Sequence, residues 1–189
     1  MPRRRMTQGA APVVAQAWIE LVRDDPEAGS ALAVARAHLP AGRPLVSLRR
    51  LRLFEISGAL PARAAIEGLL HRSIQFYNPQ KERCTVRARA TERPPLGDEE
   101  HAVLVFERGG ERRAAAERWW RHETGEAIEV SEGVVWALGF APSVKYTGAR
   151  FAELAVLRDP RHGLFCNPHA QEHRIAAGAI PMPWMAATA

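Results

Sequence analysis

Cysteine, lysine and long apolar runs are all scarce in this chain, and each scarcity excludes a class of protein. Cys84 and Cys166 are the only cysteines, too few for a disulfide framework, so both are expected as free, structural thiols in a reducing compartment. No stretch approaches the roughly 20 consecutive apolar residues that cross a bilayer. The basic start Met1-Pro2-Arg3-Arg4-Arg5 is not followed by an apolar core with a small-residue cleavage site. These features predict a soluble, cytoplasmic protein without membrane contact, preceded by a disordered start. No nucleophile motif, phosphate-binding loop or paired-cysteine metal motif occurs, so no catalytic residue is assigned.

Lys81 and Lys145 are the only lysines, and arginine supplies the rest of the 26 cationic side chains, which outnumber 21 acidic ones for a net charge of +5. A basic excess admits a nucleic-acid partner, because clustered cations gain affinity by releasing counterions from phosphate. Here the arginines are interleaved with acids, and such an excess speaks to solubility rather than fold.

With 189 residues, 47% of them hydrophobic, the chain is long enough for one well-buried core. It also uses one phrase twice: Phe76-Tyr77-Asn78-Pro79 and Phe165-Cys166-Asn167-Pro168. Each copy follows a helical stretch and precedes an extended one, which predicts two related units.

Apolar residues at Val13, Val14, Ala17, Trp18, Leu21 and Val22 have helical spacing, and Glu27 to Leu39 forms a second helix stopped by Pro40-Ala41-Gly42. These two predict an N-terminal helical pair within a 1–44 extension. From Leu45 to Ile56 the period falls to two. A helix from Leu60 to His71, a strand at Cys84 to Ala88, a Pro- and Gly-rich loop at Thr91 to Glu100, a strand at His101 to Glu107, a helix at Glu111 to Glu123 and a strand at Ala127 to Val130 follow. Leu45 to Val130 therefore reads as β-α-β-β-α-β, an α+β protein with a ferredoxin-like core. The first unit is 45–92 and the second is 93–189, within one compact domain. In the second, Glu132 to Phe140 reads as helix, Ser143 to Thr147 as extended, Ala149 to Arg158 as helix and Glu172 to Ala176 as strand. The apolar end Ala179-Ile180-Pro181-Met182-Pro183-Trp184-Met185 is not a regular helix; it packs across the body or meets a partner.

Leu48 to Pro79, reading L-R-R-L-R-L-F-E-I-S-G-A-L-P-A-R-A-A-I-E-G-L-L-H-R-S-I-Q-F-Y-N-P, resembles the PurS-like N-terminal region of phosphoribosylformylglycinamidine synthases. There a strand ends in a glycine, a helix finishes with a double leucine, and an extended segment follows. Glu132 to Leu154, with A-L-G-F at Ala137 to Phe140, then Val144, Gly148 and Glu153-Leu154, is similar to the small PurS subunit. The family's early strand, with its Asp-Pro and the glycine after it, is read as having no counterpart before Glu132. The resemblance implies a non-catalytic piece, linked to purine biosynthesis, that docks a synthetase to its glutamine amidotransferase.

Three residue groups are candidates for a site. Arg49, Arg50 and Arg52 with Arg87 and Arg89 lie on strands that become neighbours if these pair, giving an anion- or partner-binding patch of guanidinium groups; a solvated sheet face is the plainer reading. An open sheet face also invites a second subunit, and hence an oligomer. Trp119 and Trp120 are adjacent on a helix and cannot both face one core, so one is available to a partner, as is Trp184. Cys166, His169 and His173, with His162 upstream, have zinc-ligand character, but a four-ligand site needs Cys84 or His71 brought in by the fold. The readings that follow are an association module first, a basic nucleic-acid-binding domain second, and a small metal- or thiol-dependent enzyme third.

Overall fold

A computed structural model describes residues 13–109, 111–144 and 148–185, with backbone alone at 111–112 and 148–151. The expected disordered start and residues 145–147 of the expected extended segment lie outside the described residues. The elements run β1 (Val13–Leu21), α1 (Pro26–His38), β2 (Leu45–Gly58), α2 (Arg63–His71), β3 (Glu82–Arg87), β4 (Glu100–Glu107), β5 (Glu111–Arg112), α3 (Ala114–Thr124), β6 (Ile128–Phe140), α4 (Gly148–Ala155) and β7 (Gln171–Ala177). They form one α+β body around a seven-stranded sheet of order β3-β1-β2-β6-β4-β7, with β5 beside β6. Every ladder is antiparallel.

The halves repeat one plan. β1-α1-β2-α2-β3 makes the three strands on one side of the β2–β6 ladder, and β4-α3-β6-α4-β7 makes the three on the other in matching order, so β1 and α1 of the expected 1–44 extension belong with 45–92 in the first unit. This differs from the ferredoxin-like order expected for Leu45 to Val130: β3 pairs with β1, while β4 pairs with β6 and β7.

Two elements read as helices are strands, for one physical reason. β1 lies between β3 and β2, and its Ala15, Gln16, Ala17, Trp18 and Ile19 are all buried. A strand covered on both faces carries a nearly continuous apolar run, from which a helical spacing can be picked out by accident. β6, at the centre of the sheet, takes Glu132 to Phe140 into a strand for the same reason. The expected N-terminal helical pair is therefore one strand and one helix. α1 is set by Asp25, whose carboxylate caps it by accepting the Glu27 N–H at 2.9 Å, and by Pro26 in its first turn.

All four described α-helices cover one face of the sheet, in two clusters. α2 and α3 enclose Phe54, Ile66, Leu70, Phe76 and Trp120. α1 and α4 enclose Leu48, Val103, Trp136, Leu154 and Cys166. The opposite face carries Trp18, Leu53, Leu104 and Val135 and is closed by the chain's own end, through Ile180, Trp184 and Met185. The predicted open face is thus covered within the chain. No described helix is long and apolar enough to cross a membrane.

Candidate functional site

The repeated Asn-Pro phrases occupy equivalent corners, each leading into an edge strand. Asn78 Oδ1 accepts the Gln80 N–H at 3.0 Å, the Asn78 N–H donates to Glu82 at 2.6 Å, and the Asn78 carbonyl accepts the Glu82 N–H at 2.8 Å. Asn167 Oδ1 accepts the His169 N–H at 3.1 Å, its N–H donates to Gln171 at 3.0 Å, and its carbonyl accepts the Gln171 N–H at 2.8 Å. Asparagine bonds the backbone two residues on in such turns, and proline cannot extend the preceding helix.

Matching Asn78 to Asn167 fixes the correspondence of every long strand. It makes Arg87 the counterpart of Ala176. Arg87 pairs with Gln16 on β1, and Gln16 with Glu55 on β2; Ala176 pairs with Ala102 on β4, and Ala102 with Ala137 on β6. One row across the sheet is Arg87-Gln16-Glu55 in the first unit and three alanines in the second.

The polar row is buried and complete. Gln16, Arg87 and Glu55 are 0%, 3% and 6% exposed. Gln16 Nε2 donates to Glu55 at 2.8 Å and Arg87 donates to Gln16 Oε1 at 2.9 Å. The remaining Arg87 donors reach the Glu92 and Ala90 carbonyls, both at 2.6 Å. Burial pushes the Arg87 guanidinium below its ordinary pKa, with Glu92 and Glu55 opposing. Glu55 also accepts the Trp184 N–H and, at 2.8 Å, the Met185 N–H, while Gln16 Nε2 donates to the Pro181 carbonyl at 3.0 Å. Trp184 stacks on Trp18 with centroids 6.3 Å apart. The row therefore anchors the tail against the sheet through its backbone, and sequence reasoning missed it because Gln16 and Glu55 lie 39 positions apart.

The structure does not gather the five arginines into a patch. Arg50 and Arg52 lie on the helical face and Arg49 on the other, by strand alternation. Arg49 bridges Glu20 and Glu100, each at 2.9 Å. Arg50 bonds Asp25 at 2.8 Å and also Glu27. Arg52 meets Glu82 at 2.9 Å and Glu132 at 3.5 Å. Arg87 is in the buried row, and Arg89 is exposed beyond the end of β3. The strand correspondence makes Arg50 and Glu132 counterparts, and each reaches the residue that begins a helix: Arg50 reaches Asp25, ahead of α1, and Glu132 reaches Arg113 at 3.0 Å, ahead of α3. The same contact is made with its charges exchanged.

The tryptophans also sit differently from expectation. Trp120 is fully buried, Trp119 is half-buried against the same core, and both rings meet Phe76, at 6.4 and 6.2 Å between centroids. Trp184, on the tail, is buried against the sheet and Trp18. Between α2 and α3 an apolar cleft of about 580 Å³ opens over Leu60, Pro61, Ala65, Leu69 and Trp120. Ile74, just past α2, is 83% exposed.

Cys166, His162, His169 and His173 are not brought together. Cys166 is buried in the core beneath α1 and α4, and burial raises its thiol pKa. His162 Nδ1 pairs with Asp159 at 2.8 Å, and His169 is exposed. Burial, with Arg158 nearby, lowers the His173 pKa. Among the described residues no group of three or more His, Cys, Asp or Glu side chains is placed to hold a metal ion. Cys84 is half-buried against the core, and burial pushes its thiol up to about 12, away from thiolate chemistry at neutral pH.

Comparison with protein-family models, curated proteins and solved structures finds no match for the chain.

Proposed function

We propose that the chain is a non-catalytic association module made of two PurS-like units joined by duplication, serving a synthetase and its glutamine amidotransferase. The observation that carries this reading is the shared setting of Asn78 and Asn167, which supports descent of both units from one βαβαβ piece. The resemblance gains a further element from the first unit. β1 runs into Asp25-Pro26 and then Gly29, the order of early strand, Asp-Pro and glycine that the family shows.

The chemistry of the described residues favours association over reaction. Arg49, Arg50 and Arg52 face carboxylates, Cys166 is buried and Cys84 half-buried with both thiols raised in pKa, and the candidate ligands stand apart. With the far sheet face closed by the tail, the docking surface is the helical side, where the cleft between α2 and α3 lies. A buried apolar centre with a polar rim is the usual anatomy of such a contact.

Light scattering of the full chain mixed with a phosphoribosylformylglycinamidine synthetase and its amidotransferase tests the proposal. A complex of defined stoichiometry that persists at high salt is expected, because a mainly apolar contact is not driven by counterion release. Absence of a complex, together with salt-sensitive binding to single- or double-stranded nucleic acid, would overturn it in favour of the nucleic-acid reading.

A further inference from the structure

β3 in the first unit and β7 in the second end the sheet. The Arg108 N–H donates to the Ala170 carbonyl at 2.9 Å, in line with the β4–β7 register, and this fixes the phase of that ladder. Antiparallel neighbours exchange backbone hydrogen bonds at every second pair. Glu172, Arg174 and Ala176 therefore turn their N–H and carbonyl groups to β4, while His173 and Ile175 turn theirs outward, as does the Gln171 carbonyl. The outward groups of His173 and Ile175 meet no partner among the described residues. Such an edge is a template for another strand.

The edge of the first unit is closed at its end. Glu92 folds back beyond β3, where its carboxylate accepts the Ala88 N–H at 2.7 Å and the Arg89 N–H at 3.3 Å. The strand correspondence also sets Arg83 and Thr85 where β7 has Glu172 and Arg174. On β7 these two opposite charges lie two residues apart, and hence on one face of the strand. Glu172 forms no hydrogen bond or ion pair among the described residues. Arg174 lies 5.6 Å from the ring centroid of Phe106, the residue paired with Glu172 across the β4–β7 ladder.

We infer that β7 pairs antiparallel with β7 of a second copy of this chain, with His173 opposite His173 on a twofold axis. Outward backbone groups then meet outward backbone groups: His173 exchanges hydrogen bonds with its own copy, and the Ile175 N–H reaches the Gln171 carbonyl. Glu172 falls opposite Arg174 on both sides of the axis, in the non-hydrogen-bonded pairs where side chains approach most closely. A slide of two residues either way keeps the backbone phase but sets Glu172 against Glu172 or Arg174 against Arg174. The charges thus select one register among those the backbone allows. They also select the occupant, because a strand that is its own complement makes a self-matching, twofold contact. Burial, with Arg158 nearby, lowers the His173 pKa, so the imidazoles at the axis meet uncharged at neutral pH. The inference rests on β7 and is independent of the association reading.

The test is sedimentation of the full chain at neutral pH over a range of concentrations, with charge exchanges on β7. The unaltered chain is expected as a reversible dimer. Glu172→Arg and Arg174→Glu each place like charges opposite one another on both sides of the axis, and each should weaken self-association about tenfold or more. An equimolar mixture of the two variants restores opposite charges in every pair and should dimerise as the unaltered chain does; a chain carrying both exchanges should do so alone. Hydrogen exchange at the His173 and Ile175 N–H of the unaltered chain should slow as concentration rises, a readout that needs no variant to fold. A monomer at every concentration, a dimer that survives both single exchanges, a mixture that stays monomeric, or open-ended growth would overturn the inference. Protection of those two amides only when a synthetase is added would overturn it too, giving the edge to a partner's strand.

Discussion

Gln16 and Glu55 stand directly opposite each other in the β1–β2 ladder, and their side chains meet at 2.8 Å beneath the chain's own end. Glu55 gathers one side-chain amide and two consecutive backbone N–H groups, those of Trp184 and Met185. Glu55→Ala leaves the Trp184 and Met185 N–H groups without an acceptor in a buried setting, while the Gln16 amide keeps the Pro181 carbonyl. Each such orphan costs about 1–3 kcal/mol, so denaturant unfolding should show a loss of about 2 kcal/mol or more. Hydrogen exchange at Trp184 and Met185 should accelerate with it. A loss below about 1 kcal/mol would mean that the tail is held by its apolar contacts alone.

The two corners should respond alike to the same change. Asn78→Ala and Asn167→Ala each remove one side-chain acceptor from a turn, and a loss of about 1 kcal/mol is expected for each. The corners share no partner, so the double variant should lose the sum to within about 0.5 kcal/mol. Thermal unfolding of the four proteins measures this, and a large loss at one corner with none at the other would show that they differ in role.

The phenylalanines beside those corners should not respond alike. Phe76 is fully buried against Phe54, Trp119 and Trp120, whereas Phe165 is half-buried on Trp136, 4.8 Å away. Phe76→Ala should cost about 3–5 kcal/mol, the range for deleting a core aromatic. Phe165→Ala should cost clearly less, by chemical denaturation, because its cavity opens to solvent.

Cys84 makes stability fall in alkali. Its thiol titrates near the ordinary 9.0 when unfolded and at about 12 when folded, raised first by burial and then by Glu67. Above pH 9 the unfolded chain releases a proton that the folded chain keeps, so ionisation favours unfolding. The thiol's contribution is whole below about pH 9 and declines until about pH 12. Urea unfolding between these values should show the decline, and Cys84→Ala should flatten it. Tyr77, raised by burial and by Cys84, adds to the slope in the same direction.

Much of the α+β plan was readable where local chemistry decides. The Asn-Pro corners, the Pro-rich linker before β4, the helix starting at Pro26 and the strand at Gln171–Ala177 carry turn, cap or alternation signals. β1 and β6 were not readable, because a strand packed on both faces loses its alternation; Ala17 and Val135 are buried on opposite faces and look alike in sequence. The row of Gln16, Glu55 and Arg87 depends on register between distant strands. The arginine patch failed for a related reason: Arg49 and Arg50 are adjacent in sequence and point to opposite faces, each towards its own carboxylates.

The central claim is that the chain contributes association and no chemistry. Its most direct test is reconstitution of a phosphoribosylformylglycinamidine synthetase with its amidotransferase, with and without this chain, supplied in turn with glutamine and with free ammonia. The account predicts that turnover from glutamine depends on the chain while turnover from ammonia does not. Equal turnover from glutamine in its absence, despite correctly folded components, would contradict the claim.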